Sequence, residues 1–232
     1  YIYRNKSIEI KGKRSYDLPF SFDVMKNTSS MDYLFELNDF SISKFKKLFQ
    51  GHIISEFLQR ITEDTWINIK ASYQYENQSR FPKFYSLIQS RKPLKIEPSE
   101  LSLDKSYLIS QLQERHHLAS IYREYSDIPD LVKGAVVSTE DPMFWRHKGI
   151  SEVSLGMTLR KNINSHRLSV GGSSISQQLI KNSLLSPERT IFRKIEEAIL
   201  TILMENYYNL CKTDILEIYL NMIELAPSVY GI

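Results

Sequence analysis

The sequence predicts an α+β protein, and two observations carry that prediction. Residues 1 to about 110 mix short segments rich in β-branched and aromatic residues with a stretch of helical spacing. From about Pro129 onward, apolar residues recur at helical intervals in one segment after another. The chain of 232 residues, 42% hydrophobic and 25% charged, has the composition of ordinary globular protein and the length for one large domain or two small ones. We therefore divide it into a mixed region with β-strands, 1–110, and a mainly α region, 111–232.

In the first region, Ser7 to Ile10 reads as strand, and so does Trp66 to Tyr75, where Trp66, Ile69, Ala71, Tyr73 and Tyr75 partly alternate with polar neighbours. Between them Phe45, Leu48, Phe49, Ile53, Phe57 and Leu58 have helical spacing, interrupted at Gly51-His52. The many tyrosines and phenylalanines here read as core and strand residues. Arg91 to Pro98 reads as a linker or turn. In the second region a helix can begin at Pro129, with Leu131, Val132, Ala135 and Val136 on one face. Leu155, Leu159 and Ile163 suggest another. Ser174 with Gln177 three residues on is a capping-box pattern opening a helix that holds Ile175, Leu179 and Asn182. Phe192, Ile195, Ile199, Ile202 and Leu203 outline the next. Thr213-Asp214 opens the last, with Ile215, Ile218, Leu220, Met222 and Ile223.

A net charge of +3 is too small to argue for nucleic acid; it suits phosphate or a bilayer surface, and equally no particular partner. The single Cys211 excludes an internal disulfide. No run reaches the roughly 18 apolar residues of a membrane span. The chain opens on Tyr1 without a signal-peptide pattern and stops at Ile232, which reads as a fragment whose membrane anchor would lie upstream.

Four clusters carry chemistry. Glu140-Asp141-Pro142-Met143-Phe144-Trp145-Arg146-His147-Lys148-Gly149 brings two carboxylates, aromatics and a histidine to a helix end, where apolar neighbours can tune a carboxylate for proton transfer. Alone, such a pair is as readily a cap or solvated surface. Gly171-Gly172-Ser173-Ser174-Ile175-Ser176-Gln177-Gln178, followed by Lys181, offers close backbone approach, free amides at a helix start, and an amide and an ammonium one turn apart. Read blandly, it is a capped helix with a flexible entry. Arg189 to Glu197 puts Arg193 and Glu197 one turn apart, which could be no more than a surface pair. Glu196 competes with Glu197, and the shared face with Arg193 favours Glu197. Lys212 to Asn221 is by its physics mainly a packing helix.

In order and spacing the four clusters together resemble glycosyltransferase family 51, the transglycosylase module of bifunctional penicillin-binding proteins and monofunctional wall polymerases. The family shows Glu-Asp-x-x-Phe-x-x-His-x-Gly, Gly-Gly-Ser-x-Ile-x-Gln-Gln, Arg-Lys-x-x-Glu and Lys-x-x-Ile-Leu-Glu-x-Tyr-Leu-Asn. Here these read Glu140 to Gly149, Gly171 to Gln178, Arg193 to Glu197 and Lys212 to Asn221, within roughly residues 116–232. Ser174 and Ser176 stand where the family often has threonines, and the family's domain usually continues beyond Tyr230-Gly231-Ile232.

The resemblance implies a lysozyme-like, mostly α core with a mobile, membrane-touching jaw, acting on the outer, periplasmic face of the bacterial cytoplasmic membrane. It implies polymerisation of lipid II into β-1,4 glycan, with inversion and release of undecaprenyl diphosphate. Glu140 maps to the catalytic base and Glu197 to the second catalytic glutamate. Asp141, Phe144, His147, Ser174, Gln177, Gln178, Lys181, Arg189, Arg193 and Lys194 map to substrate binding, with Lys181, Arg189 and Arg193 toward the diphosphate. No cofactor is required on this reading; a divalent cation (Mg or Mn) near the diphosphate stays open. The expected partners are lipid II, the lipid-linked glycan and the membrane surface, with cell-wall or division proteins as candidates for residues 1–110. Two rivals remain: a lytic, lysozyme-like hydrolase, since paired carboxylates also cleave glycosides, and an inactive precursor-binding scaffold. The cations disfavour the first, and retention of both glutamates disfavours the second.

Overall fold

The computed structural model describes residues 2–3, 7–8, 16–17, 20–26, 30–61, 66–76, 83–90, 102–151, 172–188 and 190–232. The expected linker at 91–98, the helix expected around Leu155 to Ile163, Gly171 and Arg189 lie outside the described residues. The protein is α+β, and it divides into two units: residues 1–51 with 55–98, and residues 52–54 with 99–232.

The first unit is built on antiparallel pairing. Strands β1 (Ile2–Tyr3), β4 (Phe20–Lys26), β5 (Ser30–Ser41), β6 (Trp66–Glu76) and β7 (Lys83–Ser90) form a five-stranded sheet in the order β1-β4-β5-β6-β7. β2 (Ser7–Ile8) and β3 (Tyr16–Asp17) pair separately. The alternation from Trp66 is a strand because its β-branched and aromatic residues suit a pleated surface. Glu36 lies directly opposite Lys70 in the β5–β6 register, and the two form an ion pair at 2.9 Å. The expected helical stretch is two helices, α1 (Ile42–Leu48) and α2 (Ile54–Gln59), separated where Gly51 takes φ +87°. Ser41 caps α1 through the Lys44 amide, and Ile42, Phe49, Phe57, Leu58 and Ile61 are buried.

The second unit is helical: α3 (Lys105–Glu114), a 3₁₀ turn (Tyr125–Asp127), α4 (Asp130–Glu140), α5 (Ile175–Leu184), α6 (Ile191–Asn206) and α7 (Lys212–Met222). A small ribbon, β8 (Glu224–Ala226) with β9 (Val229–Tyr230), follows. α3 runs through residue 110 and lies wholly in this unit, because Leu108 and Leu112 are fully buried and the helix packs on α5 and α7. α5 is the hub, packed against α3, α6 and α7, and every residue of α7 from Ile215 to Met222 is buried. The Arg115 guanidinium donates to the carbonyls of Leu184 (2.6 Å) and Leu185 (2.8 Å), satisfying the C-terminal end of α5. Three hydroxyl and amide donors, from Ser102, Tyr107 and Ser106, hold the Asp104 carboxyl below the usual carboxylate range at the N-cap of α3.

A segment after α3 straps the far end of α7. Ala119 N donates to Asn221 O (2.8 Å), and the Asn221 side chain both accepts from Arg123 N (2.8 Å) and donates to Arg123 O (2.9 Å). Gly231 closes the strap at φ +81°, where a Cβ would stand 2.4 Å from that of Ala119, so only glycine fits. Beneath it Glu217, 3% exposed, receives Tyr122 OH (2.7 Å), Tyr125 N (3.0 Å) and the Lys105 ammonium (2.7 Å). Burial, then the bond to Glu217, pushes the Tyr122 phenol up.

Candidate active site

The first cluster is shaped by Pro142. With no N–H and a fixed φ, it cannot extend α4, so the helix ends at Glu140 and the chain turns through Asp141 at φ −153°. Glu140 is left exposed at the helix end, and its Oε2 accepts from Gln178 Nε2 at 3.0 Å. Asp141 turns the other way and is fully buried. Its Oδ2 accepts from His147 Nε2 (2.8 Å) and from the Ile175 amide that begins α5 (3.2 Å). Phe144 is fully buried, with the ring of His147 edge-on to it and the ring centres 6.3 Å apart. Gly149 takes φ +86° against Thr201, and its carbonyl accepts from Ser174 Oγ.

The second cluster is the capped helix that the sequence predicts. Ser174 Oγ accepts from Gln177 N, and Gln177 Oε1 accepts from Ser174 N, both at 3.1 Å. That reciprocal box has a chemical by-product. With its oxygen occupied by the Ser174 amide, Gln177 must turn its NH₂ outward from the cap, and Nε2 meets Glu197 Oε1 at 3.4 Å. Gln178 is arranged in the same way: its oxygen accepts from Tyr219 OH (3.1 Å), and its NH₂ faces Glu140. Two adjacent amides on α5 thus join the two candidate carboxylates to one helix. Lys181, one turn on, is exposed.

The third cluster puts the two adjacent glutamates in different surroundings. Glu197 is 1% exposed, with Arg193 Nη1 on Oε2 at 3.1 Å and the Lys194 ammonium on Oε1. Lys194 also donates to Ser173 Oγ (2.7 Å), tying α6 to the loop before α5. Glu196 is buried as well: within the second unit it accepts from His52 Nδ1 and Ile54 N, both at 3.0 Å. The i,i+4 reading of Arg193 and Glu197 holds, but it is a nearly buried pair, with Arg193's side chain 13% exposed, and not a surface one.

Asp141, Phe144, His147, Ser174 and Gln177, grouped on sequence grounds with the substrate contacts, are thus packed inside or largely covered. The polar ones spend hydrogen bonds on one another, on the backbone and, for Gln177, on Glu197. Glu140, Gln178, Lys181, Arg193 and Lys194 remain at least partly exposed. Sequence reasoning assigned no site role to Tyr219, Ser176, Glu205 and Lys212, although Ser176, Lys212 and Tyr219 lie within the quoted motifs. Ser176 Oγ donates to Glu205, Lys212 Nζ donates to Glu205 at 2.9 Å, and the same ammonium sits 4.4 Å over the Phe144 ring. Burial pulls the Lys212 ammonium down, against the opposing pull of Glu205 and Asp141. Among the described residues no group of three or more His, Cys, Asp or Glu side chains gathers as a metal site, and Glu197 is already met by two cations.

Comparison with known proteins agrees with the arrangement of motifs. The family model described as transglycosylase matches residues 105–232. The chain is 43% identical over 109 residues to a biosynthetic peptidoglycan transglycosylase of Nitrosomonas eutropha, covering 47% of this chain and 44% of that protein. It is 45% identical over 111 residues to penicillin-binding protein 1A/1B of Bacillus subtilis, covering 48% of this chain and 12% of the relative. To the biosynthetic peptidoglycan transglycosylase of Alcanivorax borkumensis it is 36% identical over 128 residues, 55% of this chain and 51% of the relative. The chain therefore spans about half, or less, of the length of these relatives. With more than half of its residues matched by that model, the chain belongs to the transglycosylase family, glycosyltransferase family 51.

Proposed function

We propose that this chain carries the catalytic core of a peptidoglycan glycosyltransferase, which joins lipid II units into β-1,4 glycan and releases undecaprenyl diphosphate. The observation that carries the reading is the contrast between two carboxylates tied to one helix. Glu140 is exposed and has one oxygen, Oε1, without a hydrogen bond among the described residues; Glu197 is buried and committed to Arg193 and Lys194. Groups driven into opposite environments take opposite roles.

In the reaction, Glu140 accepts the proton of the acceptor sugar's 4-hydroxyl. The freed oxygen attacks the donor's anomeric carbon from the face opposite the diphosphate, the bond to the diphosphate breaks, and the configuration inverts. Lys181, Arg189 and Arg193 meet the negative charge that grows on the departing diphosphate. Glu197 holds Arg193 and Lys194 in place through the transfer. A hydrolase with Glu140 as base would need Glu197 to deliver a proton to the leaving oxygen, and Glu197 is engaged by cationic donors on both oxygens. No step here runs through a metal. The site works at the outer face of the cytoplasmic membrane, where the lipid-linked substrate is held. None of the described helices is long and apolar enough to cross a membrane.

The test is polymerisation of labelled lipid II by parent and Glu140→Gln protein. An amide keeps the shape of the carboxylate but cannot take the proton, so turnover falls by about 10²–10⁴-fold. A folded Glu140→Gln protein working at the parent rate would remove Glu140 from the base role.

A further inference from the structure

We propose that Tyr219 is a positioning residue for Glu140, acting through Gln178. The proposal rests on Glu140 being the base. Tyr219 lies on α7, is 2% exposed, and donates its hydroxyl to Gln178 Oε1 at 3.1 Å. Gln178 in turn donates Nε2 to Glu140 Oε2 at 3.0 Å. The direction of this chain is not arbitrary. An ionised carboxylate only accepts, so the amide must present its NH₂ to Glu140 and its oxygen to the phenol. Turning the amide over would lose the bond to Glu140 and set its oxygen against the carboxylate. The phenol is thereby cast as donor, and it keeps that role: burial, with the charge of Glu140 adding to it, pushes the Tyr219 hydroxyl up.

The consequence lies at Glu140. It is the exposed last residue of α4, where helix carbonyls concentrate negative charge, and among the described residues only Gln178 hydrogen-bonds its side chain. Gripping Oε2 leaves Oε1 as the proton-accepting oxygen and aims it, which is the pre-organisation that general-base catalysis needs. Gln177 is the built-in comparison: there the Ser174 amide, not a side chain, sets the orientation, so no single side-chain substitution outside the cap releases it.

Tyr219→Phe keeps the buried ring and removes only the donor. We expect kcat with lipid II to fall by about 3–10-fold with KM unchanged. In a Gln178→Ala background the same substitution should cost nothing further, since the intermediary is gone. The ¹H–¹⁵N signals of the Gln178 side-chain NH₂ should move in both Tyr219→Phe and Glu140→Gln proteins, whatever substrate is offered. Equal losses in the two backgrounds, or Gln178 signals indifferent to both substitutions, would overturn the proposal. Should the parent protein make no glycan from lipid II, the proposed function fails by itself, and the amide signals still decide whether Tyr219 and Glu140 communicate.

Discussion

Glu197→Gln separates the two adjacent carboxylates of α6 most sharply. The substitution preserves volume and removes charge beneath two cations. The Arg193 contact, at 3.1 Å between side chains 13% and 1% exposed, is a charge-assisted bond worth about 1.5–3 kcal/mol. Lys194 is half exposed, so its share is screened to about 0–1 kcal/mol. The longer Gln177 contact adds about 0.5 kcal/mol, and the new amide oxygen returns part of one bond. A net loss of about 2–4 kcal/mol should lower the melting midpoint by roughly 6–15 °C. Glycan polymerisation should fall by about 10²-fold, because Arg193 and Lys194 lose the anchor that holds them for the diphosphate. In Glu196→Gln, by contrast, the amide oxygen can still accept from Ile54 N, and only the His52 contact is weakened. That variant should lose about 1 kcal/mol and keep most of its turnover. Calorimetry and a lipid II assay on both proteins decide the matter. Greater damage to turnover from Glu196→Gln, or a Glu197→Gln midpoint within about 2 °C of the parent, would refute the reasoning.

Lys181→Ala should lower turnover of lipid II by roughly one to two decades, since a charge-assisted contact to the diphosphate is worth about 1.5–3 kcal/mol. Release of soluble fragments from finished, phosphate-free wall by the parent, with lipid II untouched, would contradict the transferase reading. The Lys105 ammonium gives a pH signature. Burial alone would pull its proton affinity down, but the bonds to Glu217 and Asp214 outweigh it and hold it above the ordinary 10.5. Its stabilisation is therefore complete below pH 10.5 and lost as pH rises through the elevated folded value. Parent protein should lose stability more steeply than Lys105→Met above that pH, and parallel alkaline declines in denaturant titrations would count against the network.

What could be read in advance was what one element encodes by itself. The alternation from Trp66, the break at Gly51, the Ser174–Gln177 box and the Arg193–Glu197 turn all depend on neighbours a few residues apart. Phe20, Phe22 and Val24 alternate with Ser21 and Asp23 in β4 just as clearly, a local signal of the same kind. The pairing order of the sheet is set by contacts that no local pattern contains. The same holds for the site. The link from Gln178 to Glu140 spans 38 residues and that from Tyr219 to Gln178 spans 41, so Tyr219 looked like one more packing residue of its helix. Asp141 and Glu140 are chemically alike and adjacent. Only the turn forced by Pro142 sends one inward to begin a helix and leaves the other in solvent.

The strap across α7 has a bearing on how the unit comes to exist. Asn221 holds both main-chain groups of Arg123 across 98 residues of sequence, and the Arg123 guanidinium reaches the carbonyl of Ile232 across 109. A chain emerging from the ribosome can wind α3 and α4 early, yet the α7 surface that α3 packs against is synthesised roughly a hundred residues later. Closing so large a loop is slow, and until it closes Leu108 and Leu112 have no α7 to lie against. Closure of the second unit thus waits on α7, and a nascent chain halted before Asn221 would be a substrate for chaperones and proteases.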